Sequence, residues 1–253
     1  YTTKRKVCGL PSGVSMIDVH AVGAGGGSIA YLDNAGALKV GPESAGANPG
    51  PAAYGLGGEN PVVTDANIVL GRINPEYVLG GRMKINAGLS RKAIQEKLAS
   101  KMNVTVEQAA SGIVSVVNSN MARAIRVITV ERGYNPSDFA LVAYGGAGPL
   151  HAVNLAQEMG IKTVIIPPNP GTLCSLGLLT ADIRRSYVKT AITPLDDIDA
   201  QWIDECLRLL MEQGRAWLSS ENRVPEHCHF RHTPVKRYIG QNYALPDMPP
   251  PGD

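Results

Sequence analysis

Two glycine-rich turns constrain this chain more than anything else in it. Gly23-Ala24-Gly25-Gly26-Gly27-Ser28 follows the short apolar-rich run Met16-Ile17-Asp18-Val19-His20, and Gly145-Gly146-Ala147-Gly148 follows Phe139-Ala140-Leu141-Val142-Ala143-Tyr144. Glycine carries no Cβ, so backbone can approach a ligand or another backbone closely there, and successive exposed N–H groups make a nest for an anion. Each turn taken alone serves folding as readily as binding. Neither matches a named phosphate fingerprint. In the first, Ser28 stands where the dinucleotide pattern wants its last glycine, and a strand follows rather than a helix; no Gly-x-x-x-x-Gly-Lys-Ser/Thr string occurs.

The flanking residues set the fold class. Ser28–Leu32 and Ala37–Val40, joined by Asp33-Asn34-Ala35-Gly36, read as a β-hairpin. Residues 41–60 show no periodicity and read as a long structured loop. Ser90–Met102 carries a helical stripe of Ala93, Ile94, Leu98 and Met102, with Ser90 as its N-cap. Thr105-Val106-Glu107-Gln108 is a capping box, so a second helix starts there and runs to Glu131 before Gly133 stops it. Phe139–Tyr144 reads as a buried strand, Leu150–Met159 as a helix with Pro149 in its first turn and Gly160 at its end, and Lys162–Ile166 as the next strand. Strand, helix and strand in that order make a βαβ unit and a parallel pair, hence an α/β protein. Gln201–Leu218 is a further amphipathic helix.

Composition excludes several classes. Lys plus Arg is 24 and Asp plus Glu is 22, a net charge of +2, so a nucleic-acid partner is not expected. Apolar runs such as Thr163–Pro168 are far shorter than the ~18–20 residues of a membrane span. No secretory signal opens the chain, and Cys8, Cys174, Cys206 and Cys228 are too scattered for a disulfide framework. A reducing, cytoplasmic compartment is expected. The first residue is Tyr1, so the chain reads as a piece of a longer product.

Few side chains stand out for chemistry. Asp18 and His20 would share one face of a strand beside the first glycine turn, and Asp18 could hold Mg²⁺ near bound phosphates; it could equally stabilise the turn. His151, just after the second turn, reads first as structural. His227, Cys228, His229 and His232 cluster, but their spacing fits no standard zinc pattern. Leu173-Cys174-Ser175-Leu176-Gly177 fails the nucleophile-elbow pattern. Arg123 and Arg126 read as solvent-facing.

Beyond spacing there is resemblance. Ile17-Asp18-Val19-His20-Ala21-Val22 with the glycine turn and Ser28-Ile29-Ala30 closely resembles a signature of the hydantoinase A/5-oxoprolinase family. The likeness continues in order through Gly41-Pro42-Glu43-Ser44-Ala45-Gly46-Ala47, Val63-Thr64-Asp65-Ala66, Leu70-Gly71-Arg72, Tyr144–Ala152, Pro167-Pro168 with Pro170-Gly171, and Arg237-Tyr238-Ile239-Gly240-Gln241. It implies an actin/sugar-kinase/heat-shock-ATPase-like (ribonuclease-H-like) nucleotide-binding architecture, present in part. The resemblance makes Gly25, Gly26, Gly27 and Ser28 the second phosphate loop and Gly145, Gly146, Ala147 and Gly148 the adenosine loop. ATP and Mg²⁺ would be the cofactors, Asp18 the metal ligand, and Asp18 and His20 the catalytic candidates.

The family's first phosphate loop, an Asp-x-Gly-Gly-Thr string, does not occur here, and Cys174-Ser175 stands where members often have Ser-Ala. The resemblance therefore implies a central portion of an ATP-dependent subunit that opens cyclic amides of hydantoin, N-methylhydantoin, 5-oxoproline or lactam type. A ketone carboxylase subunit and an inactive scaffold fragment are the alternatives. Residues 1–195 would be the nucleotide-binding region and 196–253 the start of a following one. A hydantoinase-B-type partner, a small-molecule substrate and an oligomer are expected, and the isolated chain should bind ATP weakly and be inactive.

Overall fold

The computed structural model describes residues 6–7, 10–11, 17, 19–221, 228–241 and 245–246. They fall into two compact units, one ending at Thr180 and the other beginning at Ala181.

The first unit opens with short antiparallel strands, β1 (Lys6–Val7) and β2 (Leu10–Pro11). The hairpin follows as expected: β3 (Ser28–Leu32) pairs antiparallel with β4 (Leu38–Ser44), Tyr31 opposite Lys39 and Leu32 opposite Leu38. Its turn is built by Asp33, whose carboxylate accepts from the N–H groups of Ala35 and Ala37 at 3.0 and 2.9 Å, and by Gly36 at φ +78°. Strand β4 reaches further than the sequence suggests, because a bulge between Ser28 and Ala30 lets Ser28 pair with Ser44.

The loop beyond is closed by an element the pattern does not reveal, helix α1 (Val63–Val69), too short to show a stripe. Helix α2 spans Ala87–Ile94 and continues through a π-helical turn, Gln95–Ala99, into α3 (Ser100–Met102). The Ser90 cap is a correction. Asn86 caps α2, its side chain accepting from Gly88 N at 2.9 Å. Ser90 is fully buried instead and donates its hydroxyl to Asp65.

Helix α4 (Val106–Ile128) is the spine. The Thr105–Gln108 capping box is present, with both hydrogen bonds made, and Gly133 ends the turn after the helix at φ +83°. The stretch Val106–Arg132 is long and apolar enough to cross a membrane by composition, but its stripe is spent on the core. Its first half packs Ala109, Ala110, Ile113, Val114 and Val117 against Val63 and Ala66 of α1, Ile94 and Leu98, and Ala30 and Val40 of the hairpin. Fully buried side chains such as Ile94, Leu98 and Ile113 contribute about 1.5–3 kcal/mol each. Its second half packs Ala122 and Ile125 into a smaller cluster with Leu155, Ala156, Met159 and Ile161.

That cluster holds the βαβ unit. Strand β5 (Ala140–Val142) lies parallel to β6 (Thr163–Ile165), with α5 (Gly148–Met159) between them. Gly160 closes α5 at φ +70°. The expectation of a buried strand at Phe139–Tyr144 is corrected. Phe139, Val142 and Tyr144 are each about half exposed, because among the described residues β5 has β6 as its one strand neighbour. Helix α6 (Leu173–Thr180) is apolar on every side, which hid it from a periodicity search.

In the second unit α7 (Ala200–Ser220) is capped by Asp199, which accepts from Gln201 N. Arg185 lies over the rings of Tyr187 and Trp217, 5.8 and 5.3 Å from their centroids. Short strands β7 (Val235–Lys236) and β8 (Leu245–Pro246) pair antiparallel. His229 and His232 lie outside these strands and are exposed; His227 and Cys8 lie outside the described residues.

Candidate functional site

The first glycine turn is braced from within. Ser28 N donates to Gly25 O at 3.1 Å, while the Ser28 hydroxyl accepts from Gly25 N at 2.9 Å and donates to Gly23 O at 3.4 Å. Ser28 is buried, so its hydroxyl serves the turn. Helix α1 holds the turn from outside: Gly26 O accepts from Thr64 N at 2.8 Å and from the Thr64 hydroxyl at 2.9 Å. Gly27 O accepts from Ala45 N at 2.9 Å. The carbonyls of Gly23, Gly25, Gly26 and Gly27 are thus engaged, while the N–H groups of Gly26 and Gly27 have no acceptor among the described residues.

The second turn hangs between β5 and α5. Gly145 takes φ +82°, a conformation that excludes most side chains, and its N–H donates to Pro170 O at 2.8 Å. Ala147 is the N-cap of α5 and offers no side-chain acceptor. Gly146 and Ala147 also have N–H groups without an acceptor among the described residues, next to the positive end of a helix dipole.

The fold brings the two turns together. A Cβ placed on Gly26 would stand 3.8 Å from the Ala147 Cβ, van der Waals contact between segments more than a hundred positions apart. The same atom would stand 2.8 Å from the Thr64 hydroxyl, and one on Gly27 2.8 Å from the Ser44 hydroxyl. At Gly25 and Gly146 there is open space. Packing thus opposes a side chain at Gly26, where Thr64 is held by its own hydrogen bonds; at Gly27 the exposed Ser44 hydroxyl can turn away, and Gly25 and Gly146 border a gap.

The remaining candidates fare differently. Asp18 lies outside the described residues. His20 is exposed, and Ile17, Val19 and His20 are in no strand. Arg126 spends its charge on Glu158 of α5 at 3.4 Å, and Arg123 donates to Asn120. Cys174 is exposed on α6.

Three residues to which the sequence assigns no role matter here. Thr64 anchors the first turn. Asp65, fully buried, accepts from Ala52 N, Ala53 N, Val62 N and the Ser90 hydroxyl at 3.1, 3.0, 3.1 and 2.7 Å. Asn118 of α4 meets His151, its Oδ1 2.7 Å from the ring Nδ1. His151 is fully buried, and its pKa is pushed below the usual 6.5, first by burial and then by the nearby Arg72 cation.

The two apposed glycine turns carry N–H groups without an acceptor among the described residues, and α5 begins without a side-chain cap, chemistry suited to an anion. The chain belongs to the hydantoinase/oxoprolinase family, whose model matches residues 1–187. It is 44% identical over 236 residues to the caprolactamase subunit alpha of Pseudomonas jessenii, covering 90% of this chain and 33% of that one. It is 41% identical to the acetophenone carboxylase gamma subunit of Aromatoleum aromaticum, covering 86% of this chain and 30% of that one. The crystal structure of the ATP-dependent caprolactamase from Pseudomonas jessenii matches with TM-score 0.67 and 40% identity over 92% of this chain and 34% of that one. A nucleotide-free acetone carboxylase structure matches with TM-score 0.74 and 27% identity, over 97% and 36%. The chain spans about a third of the length of these relatives.

Proposed function

We propose that this chain is the central nucleotide-binding part of an ATP-dependent enzyme subunit that opens cyclic amides of hydantoin, N-methylhydantoin, 5-oxoproline or lactam type. The observation that carries the reading is the apposition of the two glycine turns, with Gly26 and Ala147 in contact range. Gly25, Gly26 and Gly27, closed by Ser28, would receive phosphate oxygens, and Gly145, Gly146, Ala147 and Gly148 the rest of the nucleotide. The hairpin, the βαβ unit and the glycine turn between β5 and α5 support an actin/sugar-kinase-like architecture. Asp18 is proposed for Mg²⁺ and His20 for a catalytic role on sequence position alone.

Phosphoryl transfer from ATP would turn an amide oxygen into a good leaving group. The part played by this chain's residues is positioning and charge stabilisation through preset N–H donors. Subunit names among the relatives support a multi-subunit assembly, and a hydantoinase-B-type partner is the one proposed. Residues 1–195 are assigned to the nucleotide-binding region and 196–253 to the start of a following one, in a cytoplasmic protein. With no Asp-x-Gly-Gly-Thr loop in this sequence, the chain alone is proposed to be inactive.

The test is ADP release by the complete protein with its companion subunit, screened with caprolactam, 5-oxoproline, hydantoins, and ketones with bicarbonate. A cyclic amide should stimulate turnover. Gly146→Val, whose added Cβ meets nothing within 4 Å, should leave the melting temperature within a few degrees and abolish turnover. Stimulation by ketone and bicarbonate alone puts the carboxylase reading in its place. Wild-type turnover in Gly146→Val rejects the site.

A further inference from the structure

The Asn118–His151 pair is costly where it sits. His151 is 0% exposed and Asn118 7%, and they share one 2.7 Å hydrogen bond. With Nδ1–H donating to Asn118 Oδ1, the ring keeps a bare lone pair on Nε2, and that atom has no partner among the described residues. Turning the Asn118 amide reverses the bond and leaves an unmet Nε2–H instead, so one ring nitrogen is orphaned either way. An apolar pair of the same volume would fill this interior without an orphaned group. The pair therefore has some use other than stability.

Its place in the fold shows which. His151 lies in the first turn of α5, three positions after Gly148, so whatever fixes its ring fixes the rotation of α5 and the aim of the Gly146 and Ala147 N–H groups. Its partner lies on α4, and α4 also grips the hairpin that carries the first glycine turn. Asn120 Nδ2 donates to Val40 O at 3.4 Å, and Gly112 lets Leu38 approach so closely that an added Cβ would stand 3.1 Å from it. One rigid helix thus touches the supports of both turns. Apolar contacts tolerate sliding, whereas a buried hydrogen bond sets one distance and one angle.

We infer that Asn118 and His151 are positioning residues for the nucleotide: they hold the Gly145–Gly148 turn at a fixed spacing from Gly25–Gly27. This rests on the nucleotide reading of the two turns. The test measures ATP KM, amide KM and kcat separately in the complete protein with its companion subunit. His151→Leu and Asn118→Leu should each raise the ATP KM about ten-fold, the scale of one lost hydrogen bond, while kcat and the amide KM stay near wild type. His151→Asn, whose side-chain amide stands where the ring Nδ1 does and can still donate to Asn118, should recover most of the ATP KM.

If the leucine variants do not fold, Asn118→Ser, a shorter acceptor, should raise the ATP KM at a near wild-type melting temperature. The inference is overturned by an unchanged ATP KM in the variants that fold, by loss of kcat at unchanged ATP KM, or by failure of asparagine at position 151 to rescue. A wild-type protein whose turnover does not depend on ATP would instead overturn the nucleotide reading itself.

Discussion

Removing the Asp65 carboxylate should unlace the layer that holds the first glycine turn. Asp65 stands in the first turn of α1, and its two oxygens accept from Ala52 N, Ala53 N, Val62 N and the Ser90 hydroxyl. All four partners are 2% exposed or less, so water cannot replace the lost acceptor. Asp65→Ala leaves three backbone donors and a hydroxyl stranded, at about 1–3 kcal/mol for each buried orphan. Against this stands the relief of no longer burying a carboxylate, itself several kcal/mol. The net is a loss of about 3–5 kcal/mol.

Asp65→Asn should cost less. Its oxygen can take the place that serves Ala52 and Val62, and its NH₂ can face Ser90, whose hydroxyl turns to accept. Only the Ala53 N–H is orphaned, for about 1–3 kcal/mol. Urea unfolding reads these differences as shifts of midpoint at constant slope. The probe should be far-UV circular dichroism or amide exchange in α1–α4. Both tryptophans, Trp202 and Trp217, belong to the second unit and would report the wrong one. A loss under about 1 kcal/mol in the alanine variant, or equal losses in the two, refutes the reasoning.

Two further predictions concern the turns and the interior. Gly26→Ala should destabilise by about 1–3 kcal/mol through overpacking against Thr64, and adding Thr64→Ser should not relieve it, because the hydroxyl remains at 2.8 Å. Gly25→Ala, facing open space, should stay within about 0.5 kcal/mol of wild type; chemical denaturation of the four proteins checks the order. His151 gives a pH dependence whose sign follows from its lowered pKa. The unfolded chain takes a proton near pH 6.5 that the folded chain refuses, so stability is full above that pH and falls as pH drops towards the folded value. Melting temperatures from pH 7.5 down to 5.5 should therefore fall less steeply in His151→Gln than in wild type, and identical slopes would exclude His151 as the source.

What the sequence could announce was local, and what it could not was carried by pairs far apart in the chain. Helix α4 was legible because its cap and its stop are written within its own ends, in Thr105, Gln108 and Gly133. The hairpin and the βαβ unit were legible for the same reason. Ser90 was misread because its hydroxyl can satisfy a helix end or a buried carboxylate. The choice was made by Asp65, whose surroundings exist only in the folded protein. Helix α1 is too short for a stripe and draws its start from that same carboxylate, while Asn118 sits 33 positions from His151. The glycine turns belong to both kinds. Their composition named them as candidates, but composition gives Gly25 and Gly26 the same weight. Packing separates them: Thr64 leaves Gly26 no room for a side chain, whereas Gly25 and Gly146 face open space. Packing does not explain a glycine where it leaves room for a side chain, so those two positions test the proposed nucleotide site more sharply than the glycine-rich composition around them.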